Sequence, residues 1–224
     1  STTPPPPQWL EEVWPAAGYT VVSLHPDAAF DPDTSVLQRC QSGREAAAYV
    51  QWILDNWDCL PDTTWFIHGH ELSPHFKYVL QLVRRGEGSP LPGGDPDVPV
   101  RMTDVFDRFC WDRVEGMAGG FWQLSPVPMV YPVRTLGPIV QGILRENWDM
   151  LKSGMQLTAE SVPDRLSFHC CAEFGVSREA IRRPGLKWWR QVFGMMCDHN
   201  PEGRGDYWMG RVMEHLWDSV FGAD

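Results

Sequence analysis

The stretch from Ser42 to His75 constrains this chain more than any other. It reads as a capped helix, a proline-bounded turn, a short strand, and three histidines gathered where that strand ends. Ser42 followed three residues on by Glu45 forms a capping box, in which each side chain satisfies a free amide at the helix start. Tyr49, Val50, Ile53, Leu54 and Trp57 recur at helical spacing and predict one buried face. The helix must stop before Pro61, and Thr63–Ile67 (TTWFI) then predicts a short core strand.

The rest of the chain continues the alternation. Tyr19–Leu24, bounded by Gly18 and Pro26, predicts a strand, and the Asp- and Pro-rich segment to Cys40 a loop. Ser73 and Pro74 open a second helix with the stripe Phe76, Val79, Leu80 and Val83. A Pro/Gly/Asp loop spans Ser89–Pro99, and Thr103–Val114 is weakly helical. The segment GGFWQLSPVPMVYPV, broken by prolines, suits an edge strand or an irregular loop. Gly137–Leu151 predicts a helix and Leu166–Val176 a strand; Ser177 caps a short helix that ends at Pro184. Leu186–Met196 and a closing segment with Met209, Val212, Met213, Leu216, Trp217 and Val220 at 3-4-3-4 steps complete the chain as helices. Strands alternating with helices predict a layered α/β fold with a mostly parallel central sheet flanked by helices. A Pro-rich extension over residues 1–17 would precede one α/β domain over 18–224.

Charge and composition narrow the functions. A net charge of −10 argues against a general nucleic-acid binder, because phosphate contacts need clustered Lys and Arg. One local exception is the run with Arg178, Arg182, Arg183, Lys187 and Arg190, which suits a phosphate or a solvated helix face. No run of about 18 apolar residues occurs, so no membrane-spanning helix is expected. The opening STTPPPPQWL reads as a stiff linker or stem rather than a signal peptide. Six cysteines without a C-x-x-C pair disfavour a zinc ribbon and leave the compartment open between cytoplasm and secretory-pathway lumen. Twelve tryptophans allow broad aromatic packing or stacking on a ring-bearing ligand.

Four groups of residues can carry chemistry. On a strand His68 and His70 point to one face, and His75 follows in the first turn of the next helix. Such a trio can bind zinc or a similar divalent metal, hold a phosphate, or serve as acid and base near neutral pH. Their bland alternative is hydrogen bonding to the loop. Arg44 at a helix start, badly placed for the macrodipole, suits an anionic ligand that the free amides also attract. Beside it, Glu45 has a sufficient task in the cap. Glu173 sits inside the apolar run CCAEFGV, so it must be paired, ligated or raised in pKa. It is the preferred carboxylate for general-base or ligand work, against the alternative of a buried ion pair. Glu214, three residues after Arg211, is compatible with a helix surface pair. The P-loop, the G-x-S-x-G elbow, H-E-x-x-H, the dinucleotide-binding glycine fingerprint and a D-x-D pair at a strand end are all missing.

Gly43-Arg44-Glu45, Tyr49, Ile53, Leu60-Pro61, WFIHGH and His75 resemble the DUF3431 family, found mainly in fungi. The later AEFGVSREAIRRP and the closing MEHLWDSVFG resemble that family's second half. The layout is similar to GT-A-type glycosyltransferases, which implies a GT-A-like fold. By that analogy His68 and His70 stand where such enzymes place D-x-D, Glu173 sits near the acceptor, and Glu214 is the acidic residue of the final helix. Three functions are then open. One is a glycosyltransferase-like enzyme with a nucleotide-activated donor, a small-molecule acceptor and a divalent metal, acting through Glu173, His70 and Glu214, with Arg44, Glu45 and His68 binding ligand. Another is an acyl or aminoacyl transferase using a charged tRNA, held by Arg178, Arg182 and Arg183. The third is a non-catalytic carbohydrate-binding or assembly domain.

Overall fold

The computed structural model describes residues 21–23, 35–37, 44–68, 72–73, 100–101, 120–124, 128–169, 172–198 and 205–222. Its first strands, β1 (Val21–Ser23) and β2 (Ser35–Leu37), pair in parallel; β2 falls where a loop was expected. Helix α1 (Arg44–Asp55) follows, then β3 (Thr63–Phe66), β4 (Leu72–Ser73) and β5 (Val100–Arg101). Next come β6 (Phe121–Gln123), β7 (Pro128–Pro132), α2 (Pro138–Glu146) and α3 (Trp148–Met155). The chain closes with β8 (Arg165–His169), β9 (Phe174–Ser177), α4 (Arg178–Arg182), α5 (Leu186–Asp198), α6 (Gly205–Glu214) and α7 (Trp217–Phe221). The Pro-rich extension, Ser42, His70, His75 and the helices expected after Ser73 and over 103–114 lie outside the described residues.

The expected parallel central sheet is not what forms. The largest described sheet has three strands in the order β3-β9-β6, and both its pairings are antiparallel. A second ribbon, β7 with β8, is antiparallel as well, and so is β4 with β5. Among the described residues only β1 and β2 run parallel. Leu166–Val176 reads as one apolar strand, but the structure divides it into β8 and β9, and Ala172 between them has a left-handed φ of +42°. The first half then pairs with β7 and the second with β3 and β6, so one run serves two sheets.

Two expected helices are also divided. Asn147, with φ −114° and ψ 11°, separates α2 from α3, and the closing helix breaks between Glu214 and Trp217. Elsewhere the local signals hold. Ser177 caps α4 by accepting the Ala180 N–H at 3.2 Å. Pro138 opens α2, where its missing N–H would have had no helical partner.

The core forms around Phe174, which is fully buried. The rings of Tyr49, Phe66, Phe121, Trp217 and Phe221 stand with centroids 5.3 to 6.0 Å from it. Helices α1, α5 and α6 pack on one another, and α7 packs against β8 and α3. Strand alternation puts Phe66, Phe174 and Gln123 in one row on the core face, through their cross-strand register. On the opposite face Trp65 and Trp122 stack 6.3 Å apart over Gly175, where a Cβ would meet the Trp65 ring at 2.8 Å.

Candidate functional site

The β3–β9 register brings His68 to Glu173. Phe66 pairs with Phe174, so the residues just after β3 and just before β9 meet at one end of the sheet. His68 Nδ1 lies 3.6 Å from Glu173 Oε1. Glu173 is only 1 % exposed, and among the described residues neither carboxyl oxygen takes a hydrogen bond of ordinary geometry. Burial raises its pKa from 4.5 to about 8; the His68 backbone N–H opposes that rise and the Glu45 charge adds to it. At neutral pH this side chain is therefore mostly a neutral acid.

Helix α1 supplies the rest of the cluster. Glu45 and Tyr49 are four apart and share a helix face. The Tyr49 hydroxyl is buried, and its pKa is raised by burial first and then by the charges of Glu173 and Glu45. Glu45 thus acts on both groups electrostatically, beyond the capping task expected of it. Arg44 is exposed and opens α1 with a left-handed φ of +49°. Ala172, beside Glu173, is left-handed too, and such non-glycine backbone costs about 1 kcal/mol or more and is concentrated at functional sites.

A second acid–base group lies just before the break. Asp218 Oδ2 accepts the His169 backbone N–H at 3.0 Å and lies 2.6 Å from His169 Nδ1. Its other oxygen accepts the Gln123 amide at 3.1 Å. The carboxylate is buried while the imidazole stays a quarter exposed, with Nδ1 held by the carboxylate. Sequence reasoning missed both partners. Asp218 lies off the 3-4-3-4 stripe, so spacing did not single it out, yet it is buried in the first turn of α7. The remaining sequence signal is His169 itself, at the end of the apolar run LSFH.

The basic run sits elsewhere. Arg178 follows β9 at the end opposite Glu173 and pairs with Asp62 at 2.8 Å. Arg182 donates to the Trp57 carbonyl at 3.1 Å and stands over the Trp57 ring, and the Arg183 guanidinium lies against Gly222. Glu214 is paired with Arg211 on α6. Of the histidine trio only His68 is described; among the described residues no group of three His, Cys, Asp or Glu could hold a metal. Nor is any described helix long and apolar enough to cross a membrane.

These observations define a mixed α/β protein with small antiparallel sheets and two acid–base pairs flanking one strand break. The family model DUF3431, described as a protein of unknown function, matches residues 3–85 and 134–224, and the chain belongs to that family. Neither a curated protein nor a solved structure matches it.

Proposed function

We propose that this chain is a group-transfer enzyme that moves a sugar from a nucleotide-activated donor to an acceptor hydroxyl by acid–base chemistry. The observation that carries the reading is the placement of acid–base groups on both sides of the β8–β9 break: His169 held by Asp218 before it, Glu173 facing His68 after it. In the step proposed, His169 Nε2 takes the acceptor proton as the acceptor oxygen bonds to the anomeric carbon. The bond from that carbon to the diphosphate breaks, and the electron pair leaves with the diphosphate. Glu173, neutral near pH 7 and buried until donor binding exposes it, is assigned the proton for the departing oxygen.

A divalent metal enters this proposal only through His68, His70 and His75. Transfer from a charged tRNA has less support, since Arg178 and Arg182 already serve Asp62 and Trp57. The test is release of nucleoside diphosphate from a panel of nucleotide sugars, with and without Zn²⁺ or Mn²⁺. Release is expected with at least one donor, and Glu173→Gln and His169→Gln should each lower it by about a hundredfold or more. Absence of release and of any thermal shift across the panel would discard the reading.

A further inference from the structure

One end of the β7–β8 ribbon carries a cavity of about 330 Å³ whose lining includes Arg134, Arg145 and Arg165 with one acid, Asp164. These arginines are 11 and 20 residues apart in sequence, so no basic run announces them. The fold gathers them. Pro132 pairs with Arg165 in the ladder, and the Val133 N–H donates to the Asp164 carbonyl at 2.8 Å, which fixes Arg134 and Arg165 on adjoining strand ends. Gln141 brings in the third. Its amide nitrogen donates to the Leu136 carbonyl at 2.6 Å and the Arg134 carbonyl at 3.3 Å, while its oxygen accepts from Arg145 Nη2 at 3.1 Å.

Three guanidinium groups against one carboxylate leave the cavity two positive charges in a protein of net charge −10. Among the described residues no carboxylate pairs with Arg134, Arg145 or Arg165, in contrast to Arg178. The three come to the lining from a turn, a helix and a strand end, and all three are exposed. Several guanidinium groups beside one carboxylate suit a multiply charged anion better than a lone carboxylate. A volume near 330 Å³ is at the lower end for small-molecule sites and exceeds what one phosphate fills.

We propose that this pocket binds a phosphate-bearing small molecule, with a diphosphate as the anionic group that Arg134, Arg145 and Arg165 hold. This does not rest on the acid–base reading, because binding is read without turnover. The experiment is calorimetric titration of the full chain with inorganic pyrophosphate, orthophosphate and UDP, at fixed low chloride. Saturable pyrophosphate binding, tighter than orthophosphate, is expected. Arg134→Ala and Arg165→Ala should each weaken it about tenfold or more, and Arg165→Lys less than Arg165→Ala. Arg190→Ala, at an exposed arginine elsewhere, should leave it unchanged. UDP binding more tightly than pyrophosphate points to a nucleotide-linked ligand, and equal affinity to recognition of the diphosphate alone; both support the pocket. No saturable pyrophosphate binding would overturn it. So would unchanged affinity in a folded variant carrying both Arg134→Ala and Arg165→Ala.

Discussion

Asp218 holds His169 at two points, the backbone N–H at 3.0 Å and the ring Nδ1 at 2.6 Å, both on the same carboxylate oxygen. The double contact fixes the ring's position as well as its tautomer, and Gln123 anchors the other oxygen. Asp218→Asn replaces an acceptor with a side chain that can donate. The expected outcome is an exchange of proton-bearing nitrogens, seen in long-range proton–nitrogen spectra as Nε2 gaining the hydrogen that Nδ1 loses. Turnover should fall by about 10²- to 10⁴-fold, with thermal stability changed far less. An unaltered tautomer with full turnover would reduce the pair to a structural tie.

Glu173 makes stability depend on pH in a stated direction. Its folded pKa of about 8 lies above the unfolded 4.5, so the folded chain holds the proton more tightly. The stability linked to that proton is fully present below pH 4.5 and is lost as pH rises through 8. The full span corresponds to roughly 3–5 kcal/mol. Glu173→Gln, neutral at every pH, should therefore be more stable than the parent at pH 8 and similar at pH 4.5, while turnover is lost. Denaturant titrations at the two pH values measure this. A variant equally destabilised at both would mean that packing, not ionisation, dominates.

How far this could be read from residues alone varies with the kind of signal. Ser177 as a cap and Tyr49, Val50 and Ile53 as the buried face of α1 follow from local chemistry and appear where it puts them, while Leu54 is half-buried and Trp57 falls beyond the helix, which ends at Asp55. Glu173 was legible because an acid in an apolar run demands an explanation. Strand direction was not, since period-two patterning is the same for parallel and antiparallel partners. The left-handed Ala172 was equally hidden, because alanine carries no mark of positive φ, unlike glycine. Ala172 lies in the gap between β8 and β9, the same gap that separates His169 from Glu173. Asp218 and the arginine pocket depend on the same kind of long-range pairing, which spacing along the chain does not encode.

His215 gives the opposite pH trend to Glu173. Burial, followed by the Arg211 charge, lowers its pKa from 6.5 to about 4, and its ring packs edge-on to Phe168 at 4.3 Å. As pH falls below 6.5 the unfolded chain takes up a proton that the folded chain refuses. Stability should decline through this window by roughly 3 kcal/mol and level off below pH 4. His215→Gln should flatten the decline. Melting curves from pH 7 to pH 4 are the check, and an undiminished slope in the variant would assign the trend to other groups.

Gly154 sets two known effects against each other. It lies buried in α3, where alanine is favoured over glycine by about 1 kcal/mol on helix propensity. A Cβ there would, however, fall well inside contact distance of the Trp188 ring. That ring cannot easily yield: it is 3 % exposed, and its Nε1–H donates to the Met150 carbonyl at 2.9 Å. Moving it would also disturb the Trp189 ring, 4.8 Å away edge to face, whose own N–H is bound to the Ile181 carbonyl. Overpacking of this kind costs about 1–3 kcal/mol, occasionally more, and with two anchored tryptophans the upper end should apply. Gly154→Ala is therefore expected to lower stability by about 1–2 kcal/mol despite its better helix propensity. Pairing it with Trp188→Phe, which shrinks the ring and removes the anchored N–H, should make the alanine less costly than it is alone. Strictly additive effects in that double-mutant cycle would locate the penalty somewhere other than the Gly154–Trp188 contact.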